Sequence, residues 1–229
     1  LTIKPGVASL GNQTVSSFFY ASRAMQNSSN ANKYGFDIIG TGTMDVHMAK
    51  NTEWGLVAML SQSKYGKYGN SAYSGANKEI YQNKSGSYIT GMSNGTPSQS
   101  TTNTQVTYDI PDTGYGASTT GTIYGVYDMS GGVSEYVMGN YNNTISDSGF
   151  SSLPDSKYYD LYTSTDPSVG HKVGDATYET MGWYNDFAYF VYPSSPWFDR
   201  SGDYNYTYAG AFYSNLSGGP ADEYYGVRF

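Results

Sequence analysis

Apolar residues recur at helical spacing in two short segments of the chain. In residues 15–26 one face collects Val15, Phe18, Phe19, Ser22 and Met25. Thr14 stands immediately before this segment, where a hydroxyl side chain can accept a hydrogen bond from the first helical turn. The pattern therefore predicts an amphipathic helix over residues 15–26 that begins after a threonine cap.

The second helical pattern covers residues 51–62 and predicts another helix with one buried face. Its inward positions are Trp54, Val57, Ala58 and Leu60. Asn51 or Thr52 is expected to cap it, and Glu53 in the first turn favours the same start. Gly55 weakens a helix, which indicates that another backbone segment approaches closely at that position.

The remainder of the chain shows little periodicity and predicts long ordered loops with a few short strands. Residues 64–122 are rich in Gly, Ser, Asn, Thr and Tyr, and residues 142–196 form a second loop-rich insertion. Loops of this length commonly have a function, although a solvated cover over the core is an alternative interpretation. In the second insertion, aromatic residues are expected to pack against the end of the chain: Trp183, Tyr184, Phe187, Tyr189, Phe190 and Tyr192. Two helices, short antiparallel strands and such loops predict one α+β domain over residues 1–229.

The composition excludes several classes of function. The chain has 229 residues, a net charge of −7 and only 12 Lys and Arg, so it lacks the basic face that nucleic acids or anionic membranes require. It has no cysteine, which excludes disulfides, thiolate metal sites and thiol nucleophiles. No apolar run reaches the roughly 18 residues that span a bilayer, so direct membrane contact is not expected. Because the sequence begins at Leu1, we expect a fragment or processed product of a longer protein.

In residues 197–229, aromatic and small polar side chains alternate with a frame of glycines and of large residues that we expect to be buried. The frame consists of Trp197, Phe198, Arg200, Gly202, Ala209, Gly210 and the ending Gly226, Val227, Arg228 and Phe229. Tyr, Ser, Asn and Gly are typical of recognition loops, because Tyr offers a large contact area for few torsions. The candidate ligand-binding residues are Asp203, Tyr204, Asn205, Tyr206, Tyr208, Phe212, Tyr213, Asn215, Asp222, Glu223 and Tyr224.

Three segments in order resemble the formylglycine-generating-enzyme branch of the C-type lectin fold. Residues 49–58 (AKNTEWGLVA) are similar to its second-helix signature, and residues 124–137 (YGVYDMSGGVSEYV) resemble its most recognisable motif. Residues 200–229 resemble the closing segment of that branch. The chain departs from the usual motif by having Gly132 for Asn, Ser134 for the first Trp and Tyr136 for the second.

The resemblance implies a calcium site in the second motif. Its ligands would be the side chains of Asp128 and Glu135 and the backbone carbonyls of Gly131 and Val133. Two carboxylates and two carbonyls are suitable hard-oxygen ligands for Ca²⁺. The alternative is that Asp128 caps the turn and Glu135 pairs with a neighbouring Arg or Lys.

Catalysis is not expected from this chain. The oxidase activity of the related branch needs two cysteines that are absent here, and the related sulfoxide synthases use several histidines. The chain has only His47 and His171, which are more simply interpreted as structural or surface residues. The usual calcium-dependent sugar motifs of C-type lectins are also missing.

The variable proteins of diversity-generating retroelements belong to the same branch and match the tyrosine-rich tail best. The resemblance implies a receptor or adhesin module, displayed on a bacterial surface, pilus or phage tail, that binds a protein or surface glycan on another cell or particle. Randomised Asn codons yield the residue types found at 203–208 and 212–215. The alternative is an invariant structural subunit of such an appendage, and the ligand class stays open.

Overall fold

A five-stranded mixed sheet forms the centre of the computed structural model, which describes residues 4–26, 45–73, 79–97 and 104–228. In chain order the helices are α1 (Val15–Ala24), α2 (Asn51–Leu60) and α3 (Pro167–Gly170). The strands are β1 (Met92–Ser93), β2 (Val106–Thr107), β3 (Ser134–Tyr141), β4 (Asp160–Tyr162), β5 (Trp197–Ser201), β6 (Gly210–Ser217) and β7 (Tyr225–Val227). Together these elements confirm the α+β class.

The central sheet has the order β4-β3-β5-β6, and β7 also pairs with β3. Strand β5 is antiparallel to both of its neighbours, β3 and β6, whereas β4 and β7 both run parallel to β3. β7 pairs with the start of β3 and β4 pairs with its end, so the two short strands lie along different parts of β3. The expectation of antiparallel strands alone was therefore incomplete. β1 and β2 form a separate antiparallel pair in the first insertion.

Alternation along β3 and β5 explains why both faces of the sheet are buried. Tyr136 and Met138 of β3 and Trp197 of β5 belong to a cluster that α1 covers. Val137 and Phe198, one residue further along each strand, belong to the opposite cluster, which α2 and the second insertion cover. Side chains of a strand point alternately to its two faces, so two cores on either side of one sheet follow from this sequence.

Helix α1 forms as its sequence predicts. Thr14 Oγ1 accepts a hydrogen bond from the Ser17 N–H at 3.3 Å, and Val15, Phe18 and Phe19 are buried. Met25 is also buried, one residue beyond the helix end at Ala24.

Helix α2 corrects two details of the prediction. Its N-cap is Lys50 rather than Asn51 or Thr52, and the Glu53 carboxylate accepts the Lys50 N–H at 2.9 Å. Asn51 is unsuited to capping because its side chain is buried in a core network described below. Leu60, expected to face inward, lies at the helix end and is 58% exposed.

Gly55 of α2 confirms the interpretation that another backbone approaches the helix there. A Cβ at this position would lie 2.3 Å from the carbonyl oxygen of Gly174. The second insertion therefore packs directly on the helix backbone, which a larger residue would prevent.

The two insertions are ordered where the structure describes them. They contain 3₁₀ turns at Lys67–Gly69, Ser71–Tyr73, Tyr115–Ala117, Ser156–Tyr158 and Trp183–Asn185. Residues 74–78 and 98–103 of the first insertion lie outside the described residues, as does Phe229 of the predicted frame.

A matched pair of tryptophans tests the placement of the core. Trp197 is fully buried and donates from Nε1 to the Ile145 carbonyl at 3.1 Å, whereas Trp183 is 42% exposed. We expect Trp197→Ala to lower the free energy of unfolding by about 3–5 kcal/mol because it leaves a cavity. Trp183→Ala should cost about 1 kcal/mol or less. Urea unfolding followed by circular dichroism measures both, and equal losses would contradict this core.

Candidate functional site

The loop over residues 202–209 connects β5 to β6 at one end of the sheet. Ser201 and Gly202 both adopt left-handed backbone conformations, with φ of 70° and 72°. A Cβ on Gly202 would lie 2.8 Å from the Ala209 Cβ, so the two ends of the loop are in close contact. Glycine at 202 is therefore required both by the backbone conformation and by the space available.

Hydrogen bonds from beneath fix the backbone of this loop. The Tyr204 N–H donates to the Gly132 carbonyl at 2.8 Å. The buried Gln82 amide donates to the carbonyls of Tyr206 at 2.9 Å and Tyr204 at 3.3 Å. Asp203 Oδ1 accepts the Asn205 N–H at 2.8 Å. The loop is thus held by the second motif, by the first insertion and by its own aspartate.

Three tyrosines stack at the end of the loop, and we call Tyr206, Tyr208 and Tyr213 the tyrosine stack. The ring centroids of Tyr206 and Tyr208 lie 5.0 Å apart, and the rings of Tyr208 and Tyr213 are inclined by only 6°. Tyr213 is fully buried, whereas Tyr206 and Tyr208 are 36% and 38% exposed. Burial raises the pKa of Tyr213 and Tyr206, so both hydroxyls remain protonated at neutral pH. The stack therefore presents two supported aromatic rings to solvent.

The turn at residues 222–224 precedes β7 and adjoins the same surface. Asp222 Oδ1 accepts the Tyr224 N–H at 2.9 Å, and Tyr224 is exposed. The Glu223 carboxylate raises the pKa of Tyr224, with smaller contributions from Asp203 and Tyr204. The Ser134 N–H donates to the Tyr224 carbonyl at 2.9 Å and the Tyr204 N–H donates to the Gly132 carbonyl, so the turn and the loop adjoin the same part of the second motif. We call the loop 203–208 and the turn 222–224 together the binding face.

The predicted ligand-binding residues divide into three groups by exposure. Asn205, Tyr206, Tyr208, Glu223 and Tyr224 are exposed, and Tyr204, Asn215 and Asp222 are half-buried. Asp203, Phe212 and Tyr213 are buried. The first two groups keep their expected outward or partly outward position, and the third does not.

Asp203, Phe212 and Tyr213 were predicted to contact the ligand, and their burial corrects this prediction. Phe212 lies under the second insertion, with the Trp183 ring centroid 5.1 Å away. Tyr213 lies beneath the other rings of the tyrosine stack. Asp203 faces its own loop, and burial raises its pKa to about 6 despite the hydrogen bond from Asn205. These three residues support the binding face from below.

The second insertion pairs with the tail strand along its backbone. The Ser214 N–H donates to the Phe187 carbonyl at 2.9 Å, and the Tyr189 N–H donates to the Ser214 carbonyl at 2.8 Å. The Phe187 ring packs on Tyr208 at 5.1 Å. The expected packing of this insertion against the tail is confirmed for Trp183, Tyr184 and Phe187.

Supporting residues from the first insertion were not identified from the sequence. Tyr88 packs edge-to-face on Tyr204 with ring centroids 5.4 Å apart, and Gln82 holds the loop backbone. Both are more than 100 residues before the tail, and no local pattern connects them to it. Only the general expectation that long ordered loops have a function pointed to this region.

A buried carboxyl pair, Glu79 and Asp186, lies behind the start of β6. Asp186 Oδ2 accepts the Phe212 N–H at 3.0 Å, and the two carboxyl groups share a hydrogen bond. A Cβ on Gly210 would lie 2.1 Å from the Asp186 oxygens, so glycine is required there. Burial raises the pKa of both acids, and the pair therefore retains a proton at neutral pH.

Lys67 extends this buried group of charges. Its ammonium donates to the Glu79 backbone carbonyl and lies 3.7 Å from the centroid of the Tyr81 ring. Burial lowers the pKa of Lys67 to about 7, while Glu79 acts in the opposite direction. The group connects both insertions to the tail strand.

Three of the four ligand groups of the predicted calcium site, those of Asp128, Val133 and Glu135, are engaged with protein partners. Arg228 donates from Nε and Nη2 to the two Glu135 oxygens at 2.8 and 3.1 Å. Asp128 accepts from the Asn83 amide at 2.8 Å and from the Gly91 N–H at 2.9 Å. The Val133 carbonyl accepts from Ser201 Oγ at 2.8 Å.

This arrangement does not fit a calcium site, because a guanidinium already neutralises Glu135. It matches the alternative stated above, in which Glu135 pairs with an arginine. Among the described residues no group of three or more His, Asp or Glu side chains could hold a metal ion. The function proposed below does not depend on calcium.

The two histidines have local hydrogen-bond partners. His47 Nε2 lies 3.1 Å from a Glu53 carboxylate oxygen, and His171 Nδ1 lies 2.8 Å from the Pro167 carbonyl. Each interaction connects residues within six positions of one another. Both contacts are of the kind expected for structural histidines.

Comparison with protein-family models, with curated proteins and with solved structures finds no match to this chain. In the part of the chain that the structure describes, no helix is both long and apolar enough to cross a membrane.

The buried carboxyl pair predicts a stability that depends on pH. Because the folded-state pKa of Glu79 is raised above its unfolded value, its contribution is present at low pH and is lost as the pH rises. We expect the free energy of unfolding to fall between about pH 5 and the folded-state pKa of Glu79 at about 10, by up to about 1.4 kcal/mol per pH unit for one proton. Glu79→Gln, which resembles the protonated acid, should flatten this slope. Urea unfolding across the pH range measures it, and identical slopes would contradict the shared proton.

Because Glu135 is paired with Arg228, we expect the folded chain to be stable without calcium. We expect Glu135→Gln to lower the free energy of unfolding by about 3 kcal/mol, because it leaves a largely buried guanidinium without its charge partner. Neither millimolar calcium nor a chelator should shift the thermal midpoint of the unmodified chain. A midpoint that rises with calcium and falls with chelator would show that the ion displaces Arg228.

Proposed function

We propose that this chain is a ligand-binding module of the receptor or adhesin type, and that the binding face contacts the ligand. The observation that carries the proposal is the pair of exposed rings, Tyr206 and Tyr208, on a loop whose backbone is hydrogen-bonded from beneath. Tyr is enriched among the residues that contribute most to protein recognition, and a fixed backbone presents these rings with little further ordering cost.

The support beneath the loop lowers the cost of binding. A flexible loop loses backbone and side-chain entropy when a ligand orders it, and this loss reduces the affinity. Here Gly132, Gln82 and Asp203 already hold the loop, and the Tyr208 ring contacts the rings of Tyr213 and Phe187. Most of that entropy is therefore lost on folding, before any ligand arrives.

We further propose the C-type lectin-like fold that the sequence resemblance implies. The three resembling segments contact one another: Trp54 of the first donates from Nε1 to the Ala211 carbonyl of the third at 3.0 Å. Glu135 of the second pairs with Arg228 of the third. Segments that resemble one family in order, and that meet in space, support a common architecture.

The division between buried and exposed tail residues supports a diversified binding surface of the retroelement type. Trp197, Phe198, Arg200, Gly202 and Gly210 of the frame are buried, and residues 205–208 between them are exposed. Changes at residues 205–208 leave the core untouched, so many sequences can share one scaffold. In this proposal the module is displayed on a bacterial surface, pilus or phage tail and binds a protein or glycan of another cell or particle.

An exposed apolar patch supports the second candidate, a structural subunit of an appendage. Leu56 and Leu60 on the outer face of α2 are 56% and 58% exposed, and the neighbouring Val173 is 94% exposed. A subunit in an assembly would bury such a patch against its neighbour. The two candidates differ in whether the binding face or this patch contacts the partner.

Removal of the exposed rings tests the binding module. We expect Tyr206→Ala and Tyr208→Ala each to weaken binding to target cells by roughly 2 kcal/mol, because each ring is an anchor. The matched control is Tyr124→Ala, since Tyr124 is 90% exposed and lies outside the binding face. Flow cytometry of the labelled chain on bacterial cells from its source community measures the loss.

Equal binding by all three variants would count against the binding face. If Leu56→Ser abolished self-assembly while the tyrosine variants remained unchanged, the structural subunit would be the better account. Unfolding curves of each variant exclude a simple loss of folding.

A further inference from the structure

A polar groove separates the loop 203–208 from the first insertion. Its lining includes Ser85, Gly86, Ser87, Gln105, Tyr204 and Asn205, and its volume is about 580 Å³. Small-molecule sites typically enclose roughly 300–1,000 Å³, so the groove has the size of a ligand site. We call it the polar groove; most of its lining comes from the insertion and not from the tail.

The ring of Tyr204 forms one fixed wall of the polar groove. It packs edge-to-face on Tyr88, and a Cβ added to Gly86 would lie only 3.3 Å from its Cε2 atom. The Tyr204 N–H is bound to the Gly132 carbonyl. Backbone and ring are therefore both held before any ligand binds.

Gln105 supplies a hydrogen-bond donor that the described residues leave unused. Its Oε1 accepts the Lys84 N–H at 3.2 Å, which fixes the orientation of the amide. Its Nε2 is buried and has no hydrogen-bond partner within the described part of the chain. Leaving a buried donor unsatisfied costs about 1–3 kcal/mol, so an oxygen atom of a ligand at this position would be stabilised.

We infer that the polar groove binds a saccharide, with one sugar ring against Tyr204 and a sugar oxygen accepting from Gln105 Nε2. The inference rests on the proposed function and names the ligand class of one part of that site. A sugar has an apolar face of C–H groups that fits an aromatic ring, and hydroxyls that both donate and accept hydrogen bonds. Ser85, Ser87 and Asn205 offer hydroxyl and amide groups of matching character.

The lining disfavours a peptide as occupant of the polar groove. Among the described lining residues Tyr204 is the one aromatic side chain, and none is a carboxylate that would pair with Lys or Arg. An apolar or basic peptide side chain would therefore find neither a dry pocket nor an opposite charge. Lys84 also lines the groove.

A glycan array printed with neutral and sialylated oligosaccharides tests this inference on the full chain. Titration calorimetry then measures the affinity of the best retained oligosaccharide. We expect Gln105→Glu to weaken it at least about tenfold, because the variant keeps the acceptor for Lys84 but replaces the donor. Tyr204→Leu should weaken it similarly, whereas Tyr204→Phe keeps the ring and should bind within about threefold. Tyr124→Ala controls for surface changes, and unfolding curves verify that each variant folds.

The outcomes separate this inference from the proposed function. Glycan binding lost in Gln105→Glu and Tyr204→Leu but kept in Tyr204→Phe supports the polar groove. Glycan binding unchanged in Gln105→Glu overturns it, as does an array that retains nothing while cell binding still depends on Tyr208. In that last case the binding face remains, with a protein as its ligand. Absence of both glycan and cell binding overturns the two together.

Discussion

The buried guanidinium of Arg200 is the interaction on which the rest of this structure depends. Arg200 is fully buried in β5 and donates to the Asn51 side chain at 3.1 Å and to the carbonyls of Asp175 and Ala176 at 3.2 and 2.9 Å. Burial lowers its pKa to about 10, so it remains charged at neutral pH. A buried charge costs several kcal/mol unless hydrogen bonds compensate. The sheet, the start of α2 and the second insertion must therefore come together for any of them to be stable.

This constraint explains why a chain with so few aliphatic residues can present a fixed binding face. Ser201 and Gly202, where the loop begins, directly follow Arg200, so the position of β5 determines where the loop leaves the sheet. The insertions then complete the support, through Gln82 from one and Phe187 from the other. Both insertions therefore support the binding face. The alternative interpretation of the insertions as solvated covers does not describe these contacts.

Local signals in the sequence are sufficient to predict the two helices and the buried frame of the tail, because caps and 3.6-residue periodicity act within a few residues. The interpretation of Gly55 as a close approach also followed from one residue. The outward face of the tail could not be derived, since the insertions and the loop cover both sides of β6 and bury Phe212 and Tyr213. Similarly, the motif alone does not show whether Glu135 binds a metal ion or an arginine. Its pairing with Arg228, 93 residues away in the sequence, shows that it binds the arginine. The cap at Lys50 was missed because Asn51 is held by the core network around Arg200 and Tyr162.

Deep sequencing of this gene from a population of its source organism would show whether a diversified binding face lies on a constant scaffold. If the binding face is diversified, substitutions at adenine positions should be concentrated at the exposed residues 205–208 and 223–224. Trp197, Arg200, Gly202 and Gly210 should remain constant, and the buried Phe212 and Tyr213 should change only to residues of similar size. A tail that never varies, or substitutions spread evenly over buried and exposed positions, would contradict it.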